Sequence, residues 1–140
     1  MKKSDRSFLR LVDANYNRAK EALRVSEDIA RFLLDDNHLT SSFKQTRHGL
    51  TRSLLRFPVS YREMVAARSS ADDVGRKSAI KDLKRRPSAF DLLIANTKRA
   101  QEALRVLEEF AKIVAPREAK SFQKLRFKTY ELEKSCFRKF

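Results

Sequence analysis

The feature that most constrains the fold is a helical phrase that the chain contains twice. RAKEALRVSED at 18–28 returns as RAQEALRVLEE at 99–109. Over the wider window, 11 of the 20 positions in 13–32 are identical in 94–113. An amphipathic helix needs a repeated apolar stripe, whereas here Asn, Arg and Glu are repeated as well. The repeat therefore predicts a duplicated architecture. It also indicates that the repeated polar side chains have a structural or functional role.

The repeat extends into a second helix, because FKQTR at 43–47 corresponds to FQKLR at 122–126. Each half is expected to be a helical hairpin, with repeat 1 at about 5–57 and repeat 2 at about 88–140. A connector at 58–87 would cross between them. Two facing hairpins predict a single four-helix-bundle-like domain with pseudo-twofold symmetry.

Helices are expected throughout the chain. It has only two Gly and three Pro, and no segment alternates apolar and polar residues as a half-buried strand does. An all-α fold is therefore predicted. A first helix is expected to start after Ser4 and run to about Asp35. A second is expected to be capped by Thr40 and to end at Phe57, before Pro58.

The remaining elements are predicted from local signals, namely helix caps, turn-forming residues and prolines. These elements are a short helix capped by Ser60 and ending at Ala67, a loop at 68–78, a short turn of helix around Ile80–Lys84, a helix capped by Ser88 and ending near Val114, and a helix from Pro116 toward Phe140.

Composition limits the partners. With 32 Lys and Arg against 18 Asp and Glu, the formal charge is +14, which favours an anionic partner.

A cytoplasmic protein is expected from three further features of the sequence. Cys136 is the single cysteine, no apolar run is long enough to span a bilayer, and no signal peptide is visible. His38, His48 and Cys136 lack metal-ligand spacing.

Polar residues interrupt the apolar face of the first helix in both repeats. At about 100° per residue, Asn15 and Arg18 fall inside the apolar stripe. Asn96 and Arg99 occupy the same phase in the second repeat. The apolar stripe of the first repeat comprises Phe8, Leu11, Ala22, Val25, Ile29 and Leu33.

The second helix of each repeat adds another arginine. Arg47 shares the face of Phe43, and Arg126 shares that of Phe122. Four arginines are therefore expected to face inward, and an ion removed from water costs several kcal/mol unless it is paired. The carboxylates expected to serve them are Glu21, Glu102 and Glu133, with Asp28 and Glu109.

Two interpretations of these arginines stay open at this stage. In the first, an Arg–carboxylate lattice fixes how the hairpins dock, helped by surface pairs Arg24–Asp28 and Arg105–Glu109. In the second, the arginines form an anion pocket, because guanidinium forks bind phosphate oxygens in pairs. Neighbouring Asn and Glu could then bind a heterocycle by hydrogen bonds.

The loop ADDVG at 71–75 is a candidate metal site. Asp72 and Asp73 could hold Mg²⁺, which takes one or two carboxylates together with phosphate oxygens. Gly75 would let the backbone approach a ligand closely. An acidic turn in solvent is the alternative, because Asp and Gly are common turn residues. His48 is expected on the outer side of its helix.

Four stretches resemble a known family: DANYNRAKEALRVSEDIARFLLDD, KQTRH, ARSSADDVG and ANTKRAQEALRVLEEFAKI. They are similar to the helical domain that many bacteria fuse ahead of thiamine-phosphate synthase, over roughly residues 8–133. That domain is credited with hydroxymethylpyrimidine-phosphate kinase activity. The residues implicated by the resemblance are Asn15, Arg18, Glu21, Arg24, Arg47, His48, Asp73, Gly75, Asn96, Arg99, Glu102 and Arg105.

The chain departs from the family pattern at three points. It ends at Phe140, so a synthase domain is not expected to be attached. Ser26 stands at a core-facing position that is aliphatic in the family. RSSADD lacks the acidic residue that the family tends to place directly after its arginine.

Residues and resemblance together lead to a kinase hypothesis, in which the γ-phosphoryl of ATP passes to hydroxymethylpyrimidine phosphate. Phosphoryl transfer needs mainly positioned cations, although no P-loop or kinase Gly-rich loop is present. Arg18, Arg47, Arg99 and Arg126 would bind phosphates, Asn15 or Asn96 with a Glu would bind the aminopyrimidine, and Asp73 would position Mg²⁺. The catalytic candidates are Arg18, Arg99 and Asp73.

Two other functions stay open. The first is a non-catalytic subunit that binds a thiamine precursor and docks on a separate thiamine-phosphate synthase. The second is a basic helical module that binds nucleic acid, although Phe residues in core phases and interspersed acids are not typical of such modules. The sequence also leaves open whether the chain forms a homodimer.

Overall fold

The computed structural model describes residues 3–76 and 85–140. Within these ranges the fold is all-α, as predicted, and no strand occurs. The helices are α1 (Lys3–Asp28), α2 (Asn37–Leu55), α3 (Tyr61–Ala67), α4 (Ala89–Val114) and α5 (Pro116–Phe137). The predicted turn around Ile80–Lys84 lies outside the described residues. None of the described helices is long and apolar enough to cross a bilayer.

The junction between α1 and α2 differs from the prediction in two ways. The last turn of the first helix is π-helical, Ile29–Leu33. The cap of α2 is Asp36 rather than Thr40, because the Asp36 carboxylate accepts a hydrogen bond from the Leu39 amide at 2.8 Å. Thr40 lies inside the helix, where its hydroxyl donates to the Asp36 carbonyl oxygen at 2.7 Å. The prediction therefore placed the cap one turn too late.

The other predicted starts are confirmed. Ser60 and Glu63 form a capping box at the start of α3. The Ser88 hydroxyl accepts a hydrogen bond from the Asp91 amide and so caps α4. Pro116 is in the first turn of α5, where a missing N–H leaves no hydrogen bond unmade.

The four long helices pack in a ring. α1 packs against α2 and α4, and α5 closes the ring by packing against α2 and α4. Equivalent positions of the two halves supply the fully buried residues at the centre, with Leu23 matching Leu104 and Phe43 matching Phe122. Ser26 is also fully buried, and its hydroxyl donates to the Ala22 carbonyl, so the core tolerates this polar residue.

Two aromatic contacts establish the directions of the paired helices. Phe8, near the start of α1, lies 6.2 Å from Phe110, near the end of α4. Phe57, just after α2, lies 5.6 Å from Phe122, near the start of α5. Both pairs are therefore antiparallel. α3 packs on α1 and leads into the segment 68–76, which brings this segment beside α1.

An ion pair joins α2 to α5 at one end of the ring. The Arg56 Nε donates to the buried Glu118 carboxylate at 2.7 Å. This hydrogen bond lowers the pKa of Glu118, because Arg56 stabilises the charged form more than burial disfavours it.

The lowered pKa of Glu118 predicts a pH-dependent loss of stability. A carboxyl with a lowered folded-state pKa stabilises the fold above its unfolded pKa and loses that contribution as the pH falls through the folded value. We expect Glu118→Gln to be less stable than the wild type at pH 7, with a difference that narrows below about pH 4.5, the ordinary value for Glu. Urea unfolding from pH 7 to pH 3 measures it. The exposed Glu131→Gln is the control, and a pH-independent difference for Glu118→Gln would contradict the assignment.

Candidate functional site

A buried carboxylate joins the two helices of the first hairpin. Glu27 on α1 accepts hydrogen bonds from Arg47 on α2, at 2.9 Å from Nε and 3.5 Å from Nη2. The two side chains are only 5% and 14% exposed, respectively. Arg24 adds a second cation, with its Nη1 3.7 Å from the same carboxylate. Arg47 therefore points inward, as predicted, and is held by a carboxylate.

The second hairpin contains the equivalent group. Glu108 on α4 accepts from the Arg126 Nε at 2.9 Å, and the Arg105 Nη1 lies 3.5 Å away. The Glu108 hydrogen bond raises the pKa of Arg126 above its ordinary value. For Arg24, Arg47, Arg105 and Arg126 the structure therefore shows an Arg–carboxylate lattice. The predicted surface pairs, Arg24–Asp28 at 3.6 Å and Arg105–Glu109 at 2.8 Å, are also present.

The sequence prediction named the wrong carboxylates for this lattice. Glu21 and Glu102 are exposed. Glu133 instead accepts from Gln101 at 2.7 Å and from Thr97 at 3.3 Å. Glu27 and Glu108 were missed because they lie outside the apolar stripe on a helical wheel. α1 and α4 each contact two long helices, so their buried arc is wider than one stripe. Their repetition in both copies was the signal that could have found them.

The asparagines and the other two arginines behave differently. Asn15 and Asn96 are buried as predicted, and their amides donate to the carbonyls one turn earlier, each at 2.9 Å. Arg18 and Arg99 are exposed, so the prediction that they face inward is wrong. The physical reason is that Arg18 and Arg99 lie at the edge of the apolar stripe that packs against the neighbouring helices. Their long side chains can therefore extend from this edge into solvent. The Arg18 Nη1 lies 3.5 Å from the Asn15 Oδ1.

A cavity of about 590 Å³ lies between α1 and the segment after α3. Arg18 and Asn15 line it, together with residues that the wheel analysis did not single out. Three guanidiniums and two carboxylates meet at its wall. These side chains are Arg10, Arg18, Arg68, Asp13 and Asp73.

Asp13 anchors the wall of this cavity. Its buried carboxylate accepts two hydrogen bonds from Arg68, at 2.6 Å from Nε and 2.9 Å from Nη2. The Asn17 amide donates to it at 3.1 Å. The Asp13 carboxylate raises the pKa of Arg68 above its ordinary value, so Arg68 stays charged. Comparison of the two repeats did not identify Asp13, because the equivalent residue in the second repeat is Ile94.

The predicted metal loop folds against the same cavity. The Asp73 Oδ1 accepts from the Gly75 amide at 2.7 Å, and its Oδ2 lies 3.6 Å from the Arg10 Nη2. Asp72 accepts from the Ser69 hydroxyl at 3.3 Å and is not among the cavity-lining residues. Among residues 3–76 and 85–140, no three His, Cys, Asp or Glu side chains form a metal-binding group.

The other predicted site residues lie elsewhere. Glu102, Arg105 and Arg126 line an open groove of about 420 Å³ between α4 and α5. His48 is exposed on α2, on the outer side as predicted, and is not among the residues that line the large cavity. The structure therefore brings Asn15, Arg18 and Asp73 together and separates them from the site residues on α4 and α5.

The Asp13–Arg68 pair predicts that one buried carboxylate orders the loop. We expect Asp13→Asn to increase amide hydrogen exchange in 69–75 by about tenfold, because a neutral amide replaces two charge-assisted hydrogen bonds. Exchange in α4 should stay unchanged. Asp72→Asn, which removes only the bond to Ser69, is the matched control. Equal protection of 69–75 in wild type and Asp13→Asn would show that the pair does not hold the loop.

Comparison with known proteins covers most of the chain. Residues 10–135 match the ThiD2 family. A thiamine-phosphate synthase of Synechocystis sp. is 37% identical over 130 residues, which cover 93% of this chain and 36% of the relative. Another, from Prochlorococcus marinus (strain MIT 9313), is 40% identical over 130 residues, which cover 93% of the chain and 35% of the relative.

A third thiamine-phosphate synthase, from Rhodopirellula baltica, is 35% identical over 125 residues, 89% of the chain and 33% of the relative. The chain thus spans about a third of the length of these relatives. No solved structure matches it. Since the family match spans residues 10–135, the chain belongs to the ThiD2 family.

Proposed function

We propose that the chain is a thiamine-biosynthesis kinase that transfers the γ-phosphoryl of ATP to hydroxymethylpyrimidine phosphate. The observation that carries the proposal is the convergence of Arg10, Arg18 and Arg68 on one cavity beside Asp73. Membership of the ThiD2 family and similarity to proteins named thiamine-phosphate synthase support the pathway. The cavity volume of about 590 Å³ is in the range typical of small-molecule sites.

The three arginines suit phosphoryl transfer, in which the protein mainly supplies positioned positive charge. Arg68 is already fixed by Asp13, so it needs little further ordering when a phosphate binds. Arg18 is exposed, with its Nη1 3.5 Å from the amide oxygen of Asn15, and Arg10 is partly exposed beside Asp73. Arg10 and Arg18 can therefore turn toward incoming phosphate oxygens.

Mg²⁺ is part of the proposed reaction, and Asp73 is the residue that fits it. Mg²⁺ is usually held by one or two carboxylates and by substrate phosphates, and it neutralises the charge of the transferring group. Asp73 lines the cavity next to the arginines, whereas the Asp13 carboxylate is already engaged by Arg68 and Asn17. To bind Mg²⁺, the Asp73 side chain would have to move away from Arg10. The Asp73 side chain is half exposed to solvent, so it has room for this movement.

The equivalent arginines of the two repeats, Arg18 and Arg99, lie at a similar level of the α1–α4 pair. Because α1 and α4 are antiparallel with Phe8 against Phe110, residues near the middle of each helix lie at the same level. Counting from that contact at equal rise per residue, Arg18 and Arg99 fall within about one turn of each other along the pair. Arg99 is not among the residues that line the cavity, so a second phosphorylated ligand would be contacted by the second half outside it.

A second function is favoured by one observation at Asp73. Its Oδ1 accepts from the Gly75 amide and its Oδ2 lies near Arg10, an arrangement that closes the loop without a metal. In a non-catalytic subunit that binds the thiamine precursor, this loop geometry would persist in the bound state. Such a subunit would use the same arginines but would form no ADP.

A coupled assay of ADP formation tests the kinase proposal. We expect ADP formation that depends on hydroxymethylpyrimidine phosphate, and Arg18→Met should lower kcat/KM by about 10²–10³, as loss of one donor to a developing charge does. Arg31→Met, at an exposed arginine outside the cavity, is the matched control and should keep wild-type activity.

The outcomes separate the two functions. Tight binding of the pyrimidine phosphate by calorimetry with no ADP would replace the kinase with the non-catalytic subunit. If the wild type neither binds this ligand nor forms ADP, both functions are wrong.

A further inference from the structure

A smaller cavity adjoins the large one on α1. Its volume is about 260 Å³, and it is enclosed by α1, α2 and the first turn of α3. Its walls combine two aromatic rings, two leucines and three polar side chains. The lining residues are Tyr16, Asn17, Lys20, Thr51, Leu54, Leu55 and Tyr61.

The two cavities share a boundary. Asn17 lines both of them, and its amide donates to Asp13, the anchor of the large cavity. Tyr61 lines the small cavity, and its hydroxyl also interacts with Arg68. A ligand with one group in each cavity would therefore pass the Asn17 side chain.

The small cavity offers hydrogen-bond donors beside flat apolar walls. The buried Tyr16 hydroxyl is 3.1 Å from the Thr51 hydroxyl and accepts from the Lys20 ammonium at 3.0 Å. Among residues 3–76 and 85–140, no carboxylate lies within ion-pair distance of Lys20, and an ammonium has three donors. Tyr61 is 59% exposed, so its side chain is accessible to a ligand ring.

The equivalent place in the second half has different chemistry. Thr97, Gln101 and Glu133 stand where the first half has Tyr16, Lys20 and Leu54. There Glu133 accepts from Thr97 at 3.3 Å and from Gln101 at 2.7 Å, so the polar groups satisfy one another. The lattice pairs are the same in both halves, whereas the chemistry at this place differs. In the first half Lys20 stands beside Leu54 and Tyr61, and in the second half the groove is lined by Arg105, Arg126 and Tyr130, with Lys98 and Gln101 bound to Glu133. The two halves therefore present different chemistry to a ligand at this place.

We propose that the small cavity binds the ring of a planar nitrogen heterocycle whose phosphate lies in the large cavity. The ring stacks on Tyr61, and Lys20 donates to a ring nitrogen or an exocyclic acceptor. This assignment rests on the proposed function and adds to it the position and orientation of the ring. The pyrimidine phosphate and an adenine nucleotide share this chemistry, and the two are distinguished by titration.

Calorimetric titration of the full chain with hydroxymethylpyrimidine phosphate, and separately with ATP, tests the proposal. Tyr61→Ala should weaken binding of the heterocycle that occupies the cavity by about tenfold, in the range of losses when a stacked aromatic side chain is removed. Lys20→Met should weaken it similarly. Phe32→Ala, which removes an exposed ring that lines neither cavity, is the matched control.

Each outcome has a distinct meaning. If Tyr61→Ala weakens only one of the two ligands, that ligand is the occupant. If Tyr61→Ala and Lys20→Met bind both ligands as tightly as the wild type while Arg18→Met weakens one, phosphate binding stands and the ring site is wrong. If the wild type binds neither ligand, the proposed function fails and the ring site fails with it. Circular dichroism melting of each variant separates lost binding from lost folding.

Discussion

The structure depends on two buried ion pairs, Glu27–Arg47 and Glu108–Arg126, one within each hairpin. In both, an arginine on the second helix of the hairpin reaches a carboxylate on the first helix at 2.9 Å. Removal of one partner from a buried pair leaves an uncompensated charge and typically costs about 3–5 kcal/mol. The two helices of each hairpin can therefore slide or rotate only at that cost. This accounts for the repetition of Glu27 and Arg47 in the second half, as Glu108 and Arg126.

The two halves share these ion pairs but have different residues at several equivalent positions. Asp13 has Ile94 as its counterpart, so only the first half can anchor Arg68 and the loop that follows α3. Leu54 has Glu133 as its counterpart, so only the first half keeps an apolar wall beside Lys20. Repeated residues thus build the bundle, whereas the cavities combine repeated residues, such as Asn15 and Arg18, with residues that differ between the copies, such as Asp13 and Lys20.

Much of the fold could be predicted from the sequence, because helix boundaries depend on local signals. Ser60, Ser88 and Pro116 start the elements expected of them. The cap of α2 could not be chosen by pattern alone, since Asp36 and Thr40 are both good caps and the backbone conformation decides between them. Asp35, with a φ of 50°, ends the first helical segment and places Asp36, not Thr40, at the start of the next.

The candidate site was less predictable, for a different reason. A helical wheel assumes one buried face, whereas α1 packs against α2, α3 and α4 and is buried over a wide arc. That is why Arg18 was expected inside and is exposed, and why Glu27 was not expected in the core. The Asp13–Arg68 pair spans 55 residues of sequence, and no local pattern predicts such a contact.

The central claim is that the repeated arginines have two roles, with Arg47 and Arg126 holding the bundle and Arg18 serving the cavity. Thermal melting of Arg47→Met, Arg126→Met and Arg18→Met without ligand tests it most directly. The account predicts that the first two variants melt about 10 °C or more below the wild type, because each leaves a carboxylate stranded in the core. Arg18→Met should melt within about 2 °C of the wild type, as expected for an exposed side chain. Equal destabilisation of all three, or wild-type melting of Arg47→Met and Arg126→Met, would contradict the account.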